Sequence, residues 1–169
     1  MRGVIAMPML DAYIPPGALS PKAERELMTT LTDVLIRNEG ADPSNVTVRE
    51  LAWVTVHYPQ CVYVAGRPAE KPRYRFVASV PQGQFTPKRR AAIIKQITDA
   101  VLDAEGGAYD LDADRIWVLT PEIPEGTWGA GGRVMTLAEI VGRALGDVEA
   151  GRKYAEAALS LREPVGAKF

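Results

Sequence analysis

Two nine-residue stretches, "IPPGALSPK" at 14–22 and "VPQGQFTPK" at 80–88, follow one pattern: apolar-Pro-x-Gly-x-apolar-Ser/Thr-Pro-Lys. The same offset of 66 residues brings Leu31-Thr32-Asp33 onto Ile97-Thr98-Asp99. It changes by two residues before Trp53-Val54 meets Trp117-Val118. Several matches in one register predict two tandem modules of the same structure.

Each module is predicted to be a β-α-β unit. A short apolar run, "MLDAYI" at 9–14 or "YRFVASV" at 74–80, is typical of a strand that ends in a Pro/Gly turn. Ser20-Pro21 and Thr86-Pro87 then predict helix starts, because the hydroxyl can cap free amides and proline is tolerated at the first helical position. The next strands are predicted in "VTVRELAWVTV" and "RIWVLT". A right-handed crossover makes the two strands of each unit parallel.

The predicted fold class is α/β (α+β): two tandem β-α-β modules form a four-stranded sheet with both helices on one face. The first module spans 1–70, with a short extension at 1–7, and the second spans 71–135. The strand "LAWVTV" is apolar on almost every residue, so both faces of the sheet require burial. Since the two helices cover one face, we expect oligomerisation to cover the other.

A helical tail is predicted for residues 136–169. Thr136 and Glu139 have the spacing of a capping box, and the apolar residues that follow recur at helical spacing. Glycines at 142, 146 and 151 weaken this pattern, which therefore predicts one helix or two short ones that end before Pro164. We expect a packing or interface element.

Composition limits the function classes. The formal net charge is −1, which gives no electrostatic reason to expect nucleic acid or an anionic membrane as a partner. A single cysteine and a single histidine exclude an internal disulfide and a zinc-type ligand cluster. No apolar run approaches the roughly 20 residues of a membrane span, and the first ten residues do not form a signal peptide. A cytoplasmic protein is expected.

A family resemblance rests on two motifs. "PMLDAYIPPGALSPKAERELMTTLTDVLIR" at 8–37 resembles the opening of the tautomerase superfamily, whose founding family is 4-oxalocrotonate tautomerase. "RIWVLTPEIPEGTWGAGGR" at 115–133 resembles the closing signature, a strand followed by a glycine-rich hairpin with an aromatic residue. The double-length chain is also similar to the cis-3-chloroacrylic acid dehalogenase branch, particularly between Ile116 and Pro124.

The resemblance implies a cofactor-free isomerase that moves a proton in a small 2-oxo or enol carboxylic acid, with Pro8 as the base. An N-terminal proline is a secondary amine, and burial lowers the pKa of an α-amino group from about 8 toward neutrality. Such an amine can take a proton beside a carbonyl and return it elsewhere. The resemblance also implies a homo-oligomer, most often a trimer.

Pro8 can be a base only if it is the first residue of the mature chain. Methionine is removed before a small residue, so it would be removed before Pro8 but retained before Arg2. We expect the working protein to start at Met7; the alternative is a real extension that buries or displaces the site.

The resemblance transfers poorly at other positions. The founding family has an arginine where this chain has Ala18 and, in the second module, Gln84. The histidine and glutamate of the dehalogenase branch fall at Leu35 and near Ala130, and its paired arginines fall near Gln82 and Phe85. Dehalogenation, which needs those groups to activate water, is therefore disfavoured relative to simple proton transfer.

Arginines would have to supply the substrate clamp. Arg73 and Arg75 open the first strand of the second module, which is expected beside the strand of Pro8. Arg115 and Arg49 are predicted at the starts of the last strands of the two modules, and Arg75 and Arg115 are the preferred candidates. Two pocket aromatics are proposed: Trp128 in the second hairpin and Tyr63 in "CVYVAGRPA", the matching segment of module one.

Two alternatives remain. A hydratase, decarboxylase or dehalogenase could use the same proline on an unsaturated or oxo acid. A non-catalytic trimer that binds a ligand would instead hold Pro8 in an amide. We expect the second module, where Tyr74 matches Pro8, to have a structural role.

Overall fold

A mixed sheet and two long helices form the body of the protein in the computed structural model, which describes residues 8–160. The strands are β1 (Met9–Tyr13), β2 (Trp53–His57), β3 (Tyr63–Val64), β4 (Arg67–Pro68), β5 (Tyr74–Pro81), β6 (Ile116–Leu119), β7 (Glu122–Ile123), β8 (Gly129–Ala130) and β9 (Arg133–Val134). The helices are α1 (Pro21–Asn38), α2 (Val46–Leu51), α3 (Pro87–Glu105), α4 (Leu137–Leu145) and α5 (Val148–Ser160), with a 3-10 turn at Ala113–Arg115.

The sheet has the order β2-β1-β5-β6, and the short strand β7 extends it by pairing with the end of β5. Strands are parallel within each module, β1 with β2 and β5 with β6, as the β-α-β pattern predicts. The two modules meet through β1 and β5, which run antiparallel, so that Met9 lies opposite Ser79 and Tyr13 opposite Arg75. The modules are therefore related by a pseudo-two-fold axis between these central strands.

The predicted helix starts are present. The Ser20 hydroxyl accepts a hydrogen bond from the Ala23 amide at 3.1 Å, and the Thr86 hydroxyl accepts one from the Arg89 amide at 3.2 Å. Proline follows each cap at the first helical position.

Helices α1 and α3 lie on one face of the sheet and enclose the main core. Even-numbered residues of β1 and β5, among them Leu10, Ala12, Phe76 and Ala78, are at most 2% exposed and pack against helical residues such as Leu31 and Ile97. Odd-numbered residues of the strands face the other way and remain uncovered, with Trp53 64% and Trp117 67% exposed. We call this uncovered side the open face. Burial of this face by other subunits stays a prediction.

The prediction of a strand across 46–56 is wrong in its first half, because residues 46–51 form helix α2. Asn45 caps this helix by accepting a hydrogen bond from the Val48 amide. Val48 is then buried against Ile36 at the end of α1. The cap and this burial outweigh the strand preference of the β-branched run "VTV".

The tail forms a hairpin of two short helices, which is one of the two arrangements predicted. The Thr136–Glu139 capping box starts α4, and Gly146 ends it in the left-handed conformation, φ 65°. Gly151 of α5 lies so close to α4 that an added Cβ would come within 2.4 Å of the Ala138 carbonyl oxygen. The hairpin also contacts the turn after β5, where the Tyr154 hydroxyl bonds to Gln84 at 3.1 Å. The predicted extension at 1–7 and the end of the tail, 161–169, lie outside the described residues.

None of the helices between residues 8 and 160 is long and apolar enough to cross a membrane.

Candidate functional site

Pro8 lies at one end of the central strand β1. It is buried, and its carbonyl oxygen accepts a hydrogen bond from the Trp53 amide at 3.2 Å. Because β5 runs antiparallel to β1, the end of β5 and the turn at 82–86 lie at the same end of the sheet. We call this the Pro8 end.

The arginines predicted beside Pro8 lie at the opposite end of the sheet. Arg75 pairs with Tyr13, five residues along from Pro8, and Arg73 precedes it by two residues. At about 3.4 Å per residue, five residues correspond to about 17 Å. The strands are neighbours as expected, but their antiparallel direction separates these cations from Pro8 within one chain.

A cavity of about 540 Å³ occupies this opposite end. Its walls contain four of the predicted site residues and several others: Tyr13, Pro59, Val62, Tyr63, Val64, Arg73, Tyr74, Arg75, Asp114, Arg115 and Trp117. We call it the Arg75 groove. The structure therefore brings Arg73, Arg75, Arg115 and Tyr63 together, but around the Tyr74 end of the sheet.

A row of four side chains crosses the open face beside this groove. Strand register places His57, Tyr13, Arg75 and Trp117 side by side on β2, β1, β5 and β6. The rings of Tyr13 and His57 stack with centroids 4.4 Å apart, and the Arg75 guanidinium carbon lies 4.0 Å from the Tyr13 centroid. The His57 Nε2 atom lies 2.7 Å from an Asp11 carboxylate oxygen. The Tyr13 ring fixes the position of Arg75 by contacting one face of its guanidinium group.

Arg115 is committed to a buried network. Its side chain is 0% exposed, and two of its nitrogens donate to the Glu105 carboxylate at 2.9 and 2.8 Å. The Tyr74 hydroxyl donates to the same carboxylate at 2.9 Å. Hydrogen bonding to Glu105 raises the pKa of Arg115, and burial raises the pKa of Tyr74. Arg115 therefore has a carboxylate partner within the fold, and its role as a substrate ligand stays a prediction.

Arg49 is not at the start of a strand as predicted. It belongs to α2, where its guanidinium contacts Asp33 at 2.6 Å and the Pro43 carbonyl oxygen at 3.1 Å. These contacts connect α2 to α1, and Arg49 does not line the Arg75 groove.

Trp128 lies in a hairpin, as the glycine pattern predicts. Strands β8 and β9 enclose a turn in which Gly131 and Gly132 both have positive φ, 60° and 77°. The half-buried Trp128 lines a cavity of about 420 Å³ formed by residues 127–134. The matching hairpin of module one, β3–β4, turns at Ala65-Gly66 with the same sign of φ and carries Tyr63 into the Arg75 groove.

Two residues that line the groove, Tyr13 and Trp117, are not among the site residues that the sequence predicts, and neither is Asp11, which contacts His57 in the adjoining row. The alternation of side chains along a strand is the signal that could have found them. With the strand register known, it places the odd-numbered residues of β1 and β5 on the same face as the repeated tryptophans. Each tryptophan donates its indole N–H to the carbonyl three residues before it, Trp53 at 3.1 Å and Trp117 at 3.2 Å, which confirms their equivalence. Within residues 8–160, no group of three or more His, Cys, Asp or Glu side chains could hold a metal ion.

Comparison with known proteins gives one family and a set of similar folds. Residues 78–138 match the family model described as tautomerase enzyme. A fused 4-OT solved as a symmetric trimer has 20% sequence identity and a TM-score of 0.60, over 79% of this chain and 97% of its own. The chain has the fold of the tautomerase superfamily.

Other solved structures with the superfamily fold cover as much or more of the chain. A member of the cis-3-chloroacrylic acid dehalogenase family has 18% identity and a TM-score of 0.63, over 90% of this chain and 99% of its own. A protein crystallised after inactivation by 2-oxo-3-pentynoate has 18% identity and a TM-score of 0.60, over 82% and 98%. A search of curated protein sequences finds no match.

The tautomerase model match begins inside β5 and ends at the start of α4. It therefore includes the hairpin of Trp128 and excludes Pro8. Other similar structures are also of fused 4-OT proteins. The division of this chain into modules at 1–70 and 71–135 stays a prediction.

Proposed function

We propose that the protein is a tautomerase-like isomerase that moves a proton in a small 2-oxo or enol carboxylic acid, with Pro8 as the general base. The observation that carries the proposal is the placement of Pro8: it is buried directly before the central strand of a tautomerase fold. Pro8 joins the sheet through its carbonyl oxygen, which accepts the hydrogen bond from the Trp53 amide. Its ring nitrogen takes no part in the hydrogen bonds between strands.

The proposed chemistry requires a mature chain that starts at Pro8. A free ring nitrogen would be a secondary amine, and burial would favour its neutral, basic form. This amine would abstract the proton next to the substrate carbonyl and return it at the far end of the conjugated system. The same nitrogen in an internal peptide bond is an amide and has no basic lone pair.

The proposed assembly is a homotrimer in which other copies cover the apolar part of the open face outside the Arg75 groove. Met9, Trp53 and Leu119 leave apolar surface exposed there, and each is at least 36% exposed. The fused 4-OT structure is a symmetric trimer, which supports this arrangement. Since Arg73 and Arg75 lie far from Pro8 in one chain, a carboxylate clamp at Pro8 would need other residues or another subunit.

The first experiment compares two forms of the protein that differ in the state of one nitrogen. One form starts at Met7, so that methionine removal exposes Pro8, and the other starts at Met1 and keeps Pro8 in an amide. Intact mass establishes each N-terminus. With phenylenolpyruvate or 2-hydroxymuconate, the processed form should ketonise substrate about 10² to 10⁴ times faster, the usual contribution of a general base. Equal rates would refute Pro8 as the base.

A second experiment tests the nucleophilic amine directly with 2-oxo-3-pentynoate. A neutral secondary amine adds to the conjugated triple bond: an N–C bond forms, the amine proton moves to carbon, and nothing leaves. The protein should gain the mass of one whole reagent molecule at Pro8. Cys61 is an exposed thiol that can react in the same way, so the test uses a Cys61→Ser variant. Labelling of the Met1 form to the same extent would contradict the proposal.

The dehalogenase alternative is favoured by one observation, the 90% coverage of this chain by the cis-3-chloroacrylic acid dehalogenase family member. Release of halide from 3-haloacrylates, abolished in Pro8→Ala, would establish that activity. We expect little or no halide, because this chain has other residue types at the positions of the histidine, the glutamate and the paired arginines of the dehalogenase branch.

A further inference from the structure

We propose that the Arg75 groove is a second binding site, which takes a small aromatic or conjugated carboxylate and holds the carboxylate with Arg73 and Arg75. The groove lies at the end of the sheet opposite to Pro8, so this inference goes beyond the proposed function and does not depend on it.

The first support is the charge of the groove. Among the described residues, Arg73 and Arg75 form no salt bridge, whereas Arg49 and Arg115 each pair with a carboxylate. The Nε atom of Arg73 is buried and has no hydrogen-bond acceptor within the described part of the chain. Glu105 neutralises Arg115, and within residues 8–160 Asp114 is the one acidic residue that lines the groove. Two cations against one carboxylate leave an excess of positive charge.

The second support is the way in which Arg75 is presented. Tyr13 covers one face of its guanidinium, and the stacked His57 ring, held by Asp11, supports Tyr13 from behind. A guanidinium that stacks through its face keeps its N–H groups at the edge, where they can form two parallel hydrogen bonds to a carboxylate. The cation is therefore held in place before a ligand arrives, which reduces the entropy lost on binding.

The third support is the apolar character of the walls. Tyr13, Tyr63 and Trp117 provide aromatic surface, and Val62 and Val64 provide aliphatic surface. A volume of about 540 Å³ lies within the usual range for small-molecule sites. Flat apolar walls beside paired cations suit a planar acid whose ring or double bond lies against the aromatic side chains.

The opposite end of the sheet provides an internal comparison. By the pseudo-two-fold axis, Met9 and Ser79 occupy the positions equivalent to Arg75 and Tyr13. The same framework therefore carries a stacked cation at one end and two neutral side chains at the other. The anion-binding arrangement is specific to the Arg75 groove and is not a general consequence of the fold.

The experiment measures cinnamate binding to the full chain by isothermal titration calorimetry, with cinnamamide as the neutral analogue of the same shape. Cinnamate should bind, cinnamamide should bind about tenfold more weakly or not at all, and Arg75→Gln should raise the Kd for cinnamate about tenfold or more, since a hydrogen bond to a charged group is lost. Arg49→Gln is the matched control, because Arg49 is paired with Asp33 away from the groove, and it should leave the Kd unchanged.

Tryptophan fluorescence locates the ligand independently. The chain has three tryptophans, at 53, 117 and 128. Quenching by cinnamate should persist in Trp53→Phe and in Trp128→Phe and should be lost in Trp117→Phe. Circular dichroism confirms that each variant is folded; if Trp117→Phe does not fold, the calorimetry of Arg75→Gln decides.

Three results would overturn the proposal: no binding of cinnamate, equal affinity for cinnamamide, or an unchanged Kd in folded Arg75→Gln. Loss of the fluorescence signal in Trp53→Phe instead of Trp117→Phe would place the ligand at the Pro8 end and would also refute it. Absence of tautomerase activity would count only against Pro8 as the base.

Discussion

Replacing Arg115 with methionine should destabilise the protein strongly, because it would leave the Glu105 carboxylate buried without its cation. The side chains of Arg115 and Glu105 are 0% and 2% exposed, so water cannot replace the lost partner. Removing one member of a buried ion pair typically costs about 3–5 kcal/mol of unfolding free energy. Arg115 also donates to the carbonyl oxygens of Pro72 and Asp110, so the upper part of this range is expected.

The assay is urea denaturation, supported by thermal melting. A loss of about 3–5 kcal/mol corresponds to a fall in Tm of about 10 °C for a chain of this size. The double variant Arg115→Met with Glu105→Leu should be more stable than the sum of its single variants by about 2 kcal/mol or more, because it removes both charges.

A matched control is Arg49→Met, which breaks a pair that is 37% and 24% exposed. Partial exposure screens this pair, and its loss should cost less than about 1 kcal/mol. An Arg115→Met variant as stable as Arg49→Met would refute the structural role of Arg115.

Three further predictions concern other parts of the molecule. Gly151→Ala should lower the free energy of unfolding by about 1–3 kcal/mol in urea denaturation, because the added Cβ would meet the Ala138 carbonyl oxygen and Gly142. An ordinary Gly→Ala change inside a helix raises stability, so a higher free energy of unfolding would contradict the close contact of α4 and α5. The hydrogen bond from the Thr136 amide holds the pKa of Glu139 at about 2, below its usual 4.5, so its stabilising contribution should be present above pH 4.5 and disappear as pH falls toward 2; pH-dependent melting of Glu139→Gln should lack this component. Leu119→Glu on the open face should dissociate the oligomer in sedimentation experiments, while Leu111→Glu, 79% exposed and outside the sheet, should not; an intact oligomer in both would place the interface elsewhere.

Much of the fold follows from local signals in the sequence. The Ser20-Pro21 and Thr86-Pro87 pairs start helices because cap and proline act through neighbouring residues alone. The internal repeat predicts two equivalent modules because equivalent sequences bury equivalent faces. The hairpin at Gly131-Gly132 is predictable for the same reason, since positive φ favours glycine.

The positions of the arginines depend on information that local signals do not contain. A β-α-β pattern fixes strand direction within one module but leaves the direction between modules open. The pattern therefore predicts Arg75 beside Pro8, although antiparallel pairing puts it beside Tyr13. Arg115 has a carboxylate partner ten residues earlier, at the end of α3, and that contact forms only when the helix packs on the sheet.

Helix α2 forms in a segment whose sequence pattern predicts a strand. Its first three residues favour a strand by propensity, and the deciding contact is between Val48 and Ile36 in a different element. The Asn45 cap was a visible helix signal, but the apolar run that continues to Val56 obscured where the helix ends and β2 begins.

The antiparallel junction of β1 and β5 has a consequence for how a duplicated chain can change over time. Substitutions separated by more than about 7–10 Å, without shared partners, usually have additive effects on free energy. The Pro8 end and the Arg75 groove meet this condition, so mutations at one end of the sheet should leave the energetics of the other end intact. A duplicated chain can therefore diversify one extremity of its sheet while selection preserves the opposite one.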